Sequence, residues 1–380
     1  MLRLLHMADV HLGARHEDLG EAAAALRERQ HAALRAAVDL ALAEHVGAVL
    51  ISGDLFDANT ASRRTVERAA SELTRLATAR IRVVLLPGDH DAYTRSSVYR
   101  AHDIPALAGG GMVAVLTPEA PVVRLDSLNA VVVGPADPSR PPSGVFASID
   151  TAALAPTAWR IGMLHAAPGE GAGRVTEAAL EASGLDFVAL GHDHVASTGR
   201  AGGTTWAVPG SPEQVTVDRD APGTVGLVTL EERGAAKHVA VATRVVGSAW
   251  HRALEVDGAS IESQASLVDR LRAAADPELV LDVQVVGDRP DSLELDPAAV
   301  EDALRGAYLH VRIDDRSRPP LTEGALPPPE TISGAFIRDV EGRIAELEAS
   351  GDADAERDAA ELREVLRLGR RLLAGAEVAP

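Results

Sequence analysis

The chain has 380 residues, of which 37 are basic and 56 acidic, so its formal net charge is −19. At about 100–200 residues per domain, this length predicts two or three domains with a substantial hydrophobic core. The absence of cysteine excludes disulfides, cysteine-ligated zinc, iron–sulfur clusters and a cysteine nucleophile. Taken alone, the acidic balance and an aromatic content of 3% argue against a nucleic-acid-binding surface.

The beginning of the chain shows no targeting signal, because the apolar run of residues 1–8 is short and Asp9 interrupts it. No apolar run approaches the roughly 18 residues that a membrane-spanning helix needs. We therefore expect a cytoplasmic protein.

Residues 1–248 alternate short apolar runs with alanine-rich stretches, which predicts a layered α/β domain. Between the first two runs, Leu26, Leu34, Val38 and Leu42 fall near helical spacing and predict a helix. The runs are strand-sized and close in Gly, Asp or His. The predicted strands are Leu2–Met7, Ala48–Ser52, Arg82–Leu86, Ala130–Val133, Arg160–Leu164 and Phe187–Leu190, followed by Thr204–Val208, Val225–Leu230 and His238–Val246.

Residues 249–325 have the pattern of a small α+β unit. Its predicted strands are Ala253–Val256, Val280–Val286 and Tyr308–Ile313, with helices around Ile261–Ala275 and Pro297–Leu304. We expect this unit to form a separate small domain.

Residues 326–380 are predicted to form a proline-rich linker and a helical hairpin, with the break between the helices at 350–352. Either the hairpin packs on its own chain or its apolar stripes bind a partner. Because two helices after a proline-rich linker have little to bury against, we favour a partner. The stripes are Ile332, Phe336, Val340, Ile344 and Leu347 in one helix, and Leu362, Val365, Leu366, Leu372 and Leu373 in the other.

Asp and His residues follow five predicted strands, at the point where each strand ends. In open α/β sheets, ligands bind outside the carboxyl ends of the strands. Burying so many carboxylates and imidazoles without a cation would cost several kcal/mol each, about the penalty of an unpaired buried charge. The clusters are Asp9 and His11; Asp54 and Asp57; Asp89, His90 and Asp91; His165; and His192, Asp193 and His194.

A ligand set that mixes carboxylate oxygen with imidazole nitrogen suits Mn²⁺, Fe or Zn²⁺ better than Ca²⁺ or Mg²⁺. The number of ligands predicts two ions, the arrangement that clamps an in-line displacement at phosphorus.

The order Asp-x-His, Gly-Asp-x-x-Asp, Gly-x-His-Asp, His, Gly-His-x-His resembles the calcineurin-like metallophosphoesterase superfamily. Within it the chain is similar to the SbcD nuclease family, especially its YhaO-like bacterial branch, as residues 7–13, 97–100 and 209–212 also indicate. The resemblance covers residues 1–248 best. It implies an α-β-β-α sandwich (1–248, the nuclease domain), a small α+β capping domain (249–325) and a linker with a helical hairpin that binds an ATPase (326–380).

The resemblance also implies roles for individual residues. Asp54 would bridge the two ions, His90 would be the catalytic histidine at the leaving oxygen, and Asp91 would orient His90. Asp57 would at most contact a ligand without binding an ion itself. The implied ligands are Asp9, His11, Asp54 and His194 for one ion, and Asp54, Asp89, His165 and His192 for the other.

Position 89 departs from the family pattern, which usually has Asn where this chain has Asp89. A carboxylate still ligates through oxygen but adds a full negative charge. We expect tighter metal binding, a less acidic bridging water and lower activity.

The resemblance implies a manganese-dependent DNA phosphodiesterase, a 3′→5′ exonuclease and single-strand endonuclease in DNA repair and recombination. It would work as a dimer with an SbcC-like coiled-coil ATPase, and a hydroxide held between the ions would attack phosphorus. Candidates for contacts to DNA phosphates lie in loops just after the metal-site blocks: Arg15, Arg63, Arg64, Arg95 and Arg100. The alternative for each of them is an ordinary solvated arginine.

Two other functions stay open: a small-molecule or cyclic-nucleotide phosphodiesterase of the same superfamily, and a non-catalytic scaffold whose metal site serves folding.

The acidic charge does not exclude DNA, because it is unevenly spread. Residues 1–248 hold 22 basic and 28 acidic side chains, a net of −6, whereas residues 249–380 hold 15 and 28, a net of −13. Two divalent cations would bring the first segment to about −2. We expect weak, salt-sensitive DNA binding by this chain alone.

Overall fold

The computed structural model describes most of the chain, with gaps in a few loops and at the end. The described residues are 1–134, 146, 158–215, 222–234, 236–248, 250–290, 293–318, 327–350 and 353–373. Residues 319–325 of the predicted small domain, residue 326 of the predicted linker, and 351–352 of the predicted helix break lie outside them.

The strands fall into two large sheets and two small ones. They are β1 (Leu2–Met7), β2 (Ala48–Ser52), β3 (Arg82–Leu86), β4 (Val113–Val115), β5 (Val122–Leu125), β6 (Ala130–Val133), β7 (Trp159–Leu164), β8 (Ala167–Pro168), β9 (Arg174–Val175), β10 (Phe187–Leu190), β11 (Ser197–Ala201), β12 (Thr204–Val208), β13 (Thr224–Arg233), β14 (Ala236–Val245), β15 (His251–Asp257), β16 (Asp276–Val286) and β17 (Tyr308–Asp315).

The helices are α1 (Ala22–Ala43), α2 (Arg63–Thr78), α3 (Val98–Ala101), α4 (Ile104–Leu107), α5 (Glu177–Ala182), α6 (Gln264–Ala273), α7 (Pro297–Ala303), α8 (Ile332–Ser350) and α9 (Ala353–Leu373). Ser62 caps the start of α2 by accepting a hydrogen bond from the backbone N–H of Thr65.

The first large sheet has the strand order β14-β13-β1-β2-β3-β4. Strands β1 to β4 are parallel, and β13 pairs antiparallel with β1. The second has the order β11-β12-β10-β7-β6-β5, with β6, β7, β10 and β12 parallel. Parallel strands end at one edge of a sheet, so the loops after β1, β2 and β3 lie side by side, as do those after β7 and β10.

Alternate side chains of the first sheet pack on opposite faces. Leu4, Leu50 and Val84 pack towards the second sheet, in a cluster with Ile161 and Phe187. The alternate residues of the same strands pack against α1 and α2, and the far face of the second sheet packs against α5. This confirms the predicted α-β-β-α layering, and it explains why the inner strands are continuous apolar runs, since they are buried on both faces.

The predicted strands are all present, and those after residue 224 run longer than predicted. The sequence analysis did not assign β4, β5, β11 or the two-residue strands β8 and β9. Strand β11 has the sequence Ser-Thr-Gly-Arg-Ala at the edge of its sheet, where little apolar surface is buried, so it lacks the apolar run that identifies an inner strand.

The chain forms two compact units. One consists of Met1–Leu254, Ala275–Asp282 and Leu304–Arg312, and it contains both large sheets. The other consists of Glu255–Ala274, Val283–Ala303 and Ile313–Pro380. Strands β15, β16 and β17 form a three-stranded sheet in the order β15-β16-β17.

Helices α8 and α9 pack against each other as a hairpin. Their shared core holds Ile337, Val340 and Ile344 of α8 with Leu366 of α9. The two apolar stripes therefore bury much of their surface on each other, whereas the sequence analysis favoured a partner for both. Val365 (47% exposed) and Leu368 (43% exposed) of α9 stay at the surface. Among the described residues, no helix combines the length and apolar character that crossing a membrane requires.

Candidate metal centre

The loops that follow five strands bring the predicted ligands together where the two large sheets meet. Asp9 and His11 follow β1, and Asp54 follows β2. Backbone hydrogen bonds tie the first two loops together, since Asp9 N donates to Gly53 O (3.1 Å) and Val10 N to Asp54 O (2.8 Å). Between the sheets, His192 N donates to both carboxylate oxygens of Asp9 at 3.1 Å.

The ligand atoms of Asp9, His11 and His194 all lie within 4.8 Å of one another. The Nε2 atom of His194 is 4.0 Å from Oδ1 of Asp9. Asp9 is completely buried, and His11 is 2% exposed. These three residues are those of the first predicted ion, apart from Asp54.

Asp89, His165 and His192 form a second group within the same distance limit. Oδ1 of Asp89 lies 2.8 Å from Nε2 of His165 and 3.6 Å from Nδ1 of His192. These are the residues of the second predicted ion, again apart from Asp54.

Asp54 lies between the two groups. Its Oδ2 is 3.7 Å from Nε2 of His11 in the first group and 3.2 Å from Nε2 of His165 in the second. Its Oδ1 accepts a hydrogen bond from the backbone N–H of His90 at 3.0 Å. A carboxylate with two oxygens in this position can bridge two ions.

The charges of the cluster strongly perturb one another. Burial raises the pKa of Asp9 to about 6, and repulsion from Asp54 adds to that rise while His165 opposes it. Burial acts to lower the pKa of His165, but hydrogen bonds to Asp54 and Asp89 outweigh burial and hold it well above its usual value. Hydrogen bonds from His165 and His192 in turn lower the pKa of Asp89. The clustered carboxylates thus favour positive charge among them, which is what a bound cation supplies in a metal site.

Four of the predicted ligands have a left-handed backbone that non-glycine residues rarely adopt. The φ angles are 55° at Asp9, 49° at His11, 50° at Asp54 and 74° at His192. Such conformations cost on the order of 1–3 kcal/mol each and persist where the surrounding structure enforces them. The loops are therefore held in conformations that aim these side chains inward.

Glycines flank the ligands where the backbones come closest. Gly53 has φ +99°, and a Cβ there would overlap the imidazole of His165. A Cβ at Gly88 would overlap the carboxylate of Asp54. These two positions exclude any other residue, so the Gly that precedes Asp in each block is a packing requirement of the site.

The donor set fits divalent cations. His11 Nδ1 lies 3.2 Å from Oδ1 of Asp57, while its Nε2 is buried and has no hydrogen-bond partner in the described structure. A carboxylate that accepts from one ring nitrogen leaves the lone pair of the other for a metal. Asp57 thus supports His11, a role for which the sequence analysis gave it little weight.

The predicted hydrogen bond between Asp91 and His90 is not formed. Nδ1 of His90 instead lies 3.0 Å from the backbone oxygen of Asp57. Asp91 is completely buried and accepts hydrogen bonds from Gly88 N (2.7 Å), Phe56 N (3.1 Å) and Tyr99 Oη (2.7 Å). Asp91 follows His90 in sequence, but its side chain points away from the ring and fixes the loop.

Two residues that the sequence analysis did not assign hold the loops in place. Tyr99 donates to Asp91, as described above, from the Ser-Val-Tyr-Arg segment that the sequence analysis used only for the resemblance. Asn59 joins the loops after β2 and β3, because its Nδ2 donates to Ala92 O (3.0 Å) and its Oδ1 accepts from Val98 N (2.9 Å). Neither has a signal in a single sequence. The contacts of Asn59 are to backbone atoms more than thirty positions away, and that of Tyr99 joins two side chains that only the folded loop brings together.

The five candidate arginines are all at the surface, but they differ in their partners. Arg15 lies 3.2 Å from Glu17, Arg63 2.7 Å from Glu67 and Arg100 3.4 Å from Glu119. Arg64 and Arg95 have no ion-pair partner among the residues described. These two are the more available for phosphate.

Comparison with known proteins identifies relatives of the part of the chain that carries the site. The family model described as calcineurin-like phosphoesterase matches residues 2–196. The DNA double-strand break repair protein Mre11 of Saccharolobus solfataricus is 33% identical over 124 residues, 32% of this chain and 31% of that protein. Mre11 of Sulfolobus acidocaldarius is 38% identical over 95 residues, 25% of this chain and 24% of that protein. The chain thus matches about a third or less of the length of these relatives.

Among solved structures, a dimetal phosphatase from Danio rerio is similar with a TM-score of 0.38 and 13% identity, over 65% of this chain and 99% of that one. The family match covers just over half of the chain and includes the loops after β1, β2, β3, β7 and β10. With candidate metal-binding groups at those loops, the chain belongs to the calcineurin-like phosphoesterase family.

Proposed function

We propose that this chain is a metal-dependent DNA phosphodiesterase with 3′→5′ exonuclease and single-strand endonuclease activity. The observation that carries the proposal is the pair of ligand groups joined by Asp54, with His90 beside them. The Mre11 relatives, which are DNA double-strand break repair proteins, support DNA as the substrate. We also propose that the protein acts in DNA repair in the cytoplasm.

Two divalent cations, when bound, neutralise charge on the phosphoryl oxygens and acidify water. Asp9, His11, Asp54 and His194 would hold one, and Asp54, Asp89, His165 and His192 the other. The mixture of oxygen and nitrogen donors without sulfur favours Mn²⁺, with Fe or Zn²⁺ as the other choices.

His90 is the residue that we assign to the leaving oxygen. Its Nδ1 is held by the backbone oxygen of Asp57, so its Nε2 is the nitrogen free to carry a proton to that oxygen. Asp57 therefore holds His90 through its backbone and His11 through its side chain.

For the rest of the chain, we propose a small capping domain over residues 249–325 and a partner-binding segment over 326–380. An ATPase with a coiled coil, of the SbcC type, would bind the exposed apolar residues of α9, including Val365 and Leu368. We further propose that the protein acts as a homodimer. Arg64 and Arg95 would contact DNA phosphates.

The test compares hydrolysis of 3′-labelled single- and double-stranded DNA with hydrolysis of bis-p-nitrophenyl phosphate, each with Mn²⁺, with and without the ATPase. Asp54→Asn should abolish both reactions, because Asp54 serves both ions. Asp39→Asn, on the exposed surface of α1, is the matched control and should leave both unchanged.

Cleavage of DNA by the wild type and not by Asp54→Asn supports the proposal. Hydrolysis of the small ester without DNA cleavage, even with the ATPase present, would identify a small-molecule phosphodiesterase. Activity on neither substrate would identify a scaffold.

A further inference from the structure

A cavity of about 190 Å³ adjoins the candidate metal centre. His194 contributes both to its wall and to the first ligand group. Val195, Val215 and Pro222 supply much of the remaining wall, which is mainly apolar. At this size the cavity suits a single ring system, since pockets for drug-sized ligands span roughly 300–1,000 Å³.

Two buried polar groups on the wall have no partner among the described residues. Ser211 is 3% exposed, and its Oγ makes no hydrogen bond in the described structure. Its backbone is nevertheless fixed, because its N–H donates to His194 O at 3.2 Å. The Ser211 hydroxyl is therefore unpaired, although the backbone of Ser211 is fixed to that of His194, a candidate metal ligand.

Gln214 presents the second such group. Its Oε1 accepts from the backbone N–H of His251 at 3.3 Å, and its backbone oxygen accepts from Nε1 of Trp250 at 3.1 Å. These bonds orient the amide and leave Nε2 buried without an acceptor. An unsatisfied buried donor is destabilising, so binding of a ligand that supplies the acceptor is favoured.

Glu213 also lines the cavity, but its carboxylate is engaged within the protein. It is 4% exposed, and its oxygens accept hydrogen bonds from Gln214 N (3.1 Å), Ser248 N (3.3 Å) and Ser248 Oγ (3.2 Å). These bonds take up most of the hydrogen-bonding capacity of a carboxylate, so Glu213 fixes this wall and is not counted among the groups open to a ligand. The cavity thus combines apolar walls with the unpartnered groups of Ser211 and Gln214, as a flat heteroaromatic ring with a hydrogen-bonding edge requires.

We propose that this cavity receives the unstacked base of the nucleotide whose phosphate lies at the metal centre. The inference rests on the proposed function, and it adds how a single-stranded end is selected. A base held in a duplex cannot enter the cavity, whereas an unpaired base can enter once it has unstacked from its neighbours. The hydrogen-bonding groups of Ser211 and Gln214 would then take the place of its lost pairing partner.

The test measures binding of deoxynucleoside 5′-monophosphates and of 2-deoxyribose 5-phosphate to the full chain with Mn²⁺, by calorimetry. The sugar phosphate presents the same phosphate without a base. We expect the nucleotides to bind at least tenfold tighter. Ala196→Leu fills the cavity, whose wall includes Ala196, and should remove the difference. Ser211→Ala should reduce it several-fold and decides the matter if the larger substitution does not fold.

Ser71→Ala, at an exposed position of α2, is the matched control and should keep the full difference. Equal affinities for nucleotide and sugar phosphate in the wild type overturn the inference, as does a full difference in both cavity variants. A second assay on DNA separates this outcome from the proposed function. If the wild type cleaves DNA but binds nucleotide and sugar phosphate equally well, the proposed function holds and the base site does not. If nucleotides bind tenfold tighter but DNA is not cleaved, the base site holds and the proposed function does not.

Discussion

Oδ1 of Asp89 lies 2.8 Å from Nε2 of His165, so a carboxylate occupies the position where the resembling family usually has an amide. The two side chains stabilise each other's charged form, which lowers the pKa of Asp89 and helps to hold that of His165 high. We expect Asp89→Asn to weaken Mn²⁺ binding at least about tenfold, or 1.4 kcal/mol, because one negative charge leaves the site.

At saturating Mn²⁺ we expect kcat of Asp89→Asn on bis-p-nitrophenyl phosphate to rise, because a less negative site acidifies water more strongly. Calorimetric Mn²⁺ titration and steady-state hydrolysis measure the two effects. A loss of kcat at saturating metal would show instead that the carboxylate has become essential.

His90→Gln should lower kcat on DNA about 10²–10⁴-fold, the usual contribution of a general acid. The loss should be much smaller for bis-p-nitrophenyl phosphate, because p-nitrophenolate leaves without a proton. His238→Gln, on exposed strand β14, is the control and should change neither rate. Equal losses on both substrates would contradict the assignment of His90 to the leaving oxygen.

Asp57→Asn should weaken metal binding and largely spare kcat at saturating metal. The substitution removes the carboxylate that lies 3.2 Å from His11 Nδ1, and such supporting carboxylates are worth about 10–100-fold in metal affinity. It retains the backbone oxygen that holds His90. Mn²⁺ titration of activity measures the split, and a kcat that stays low at all metal concentrations would argue against it.

His6 should make the fold sensitive to acid. It is fully buried beside Ser52, and burial lowers its pKa to about 3. The unfolded chain binds this proton at a higher pH than the folded chain does. The contribution of His6 to the free energy of unfolding is therefore fully present above about pH 6.5 and falls by about 1.4 kcal/mol per pH unit as the pH drops towards 3. Urea unfolding with EDTA should show a shallower pH dependence for His6→Gln than for the wild type. Parallel pH dependences would exclude His6 as the cause.

Arg64→Ala and Arg95→Ala should each reduce the dependence of log K for DNA binding on log salt concentration by about 0.9, the value of one phosphate contact. Arg63→Ala should change it less, because Arg63 already pairs with Glu67. Fluorescence anisotropy with duplex DNA across a salt series measures the slopes. Identical slopes for wild type and both variants would remove these arginines from the interface.

The layered core was predictable because inner strands have a clear sequence pattern. Strands such as β2 are buried on both faces, so they appear as unbroken apolar runs. Asp or His residues follow several of these strands, which indicates a polar site at their ends. The edge strand β11 gave no such signal, because its residues are largely exposed and include a glycine.

The side chains that gather at the strand ends were predictable, but the contacts that hold them in place were not. Asp91 was expected to orient its neighbour His90, yet a backbone oxygen 33 positions earlier takes that place. Adjacent residues in a loop point in different directions, and only the folded arrangement decides which one reaches the ring. The same holds for α8 and α9, whose stripes meet each other once the hairpin closes.

The candidate ligands come from both large sheets: Asp9, His11, Asp54 and Asp89 from loops of the first, and His165, His192 and His194 from loops of the second. This chain has no cysteine and so no disulfide. An ion bound between these residues would instead crosslink the two sheets of the sandwich, as a disulfide does in other proteins. At a thousandfold excess over its dissociation constant, one such ion adds about 4 kcal/mol against thermal disruption. Metal supply would then set the lifetime of the catalytic unit as well as its activity.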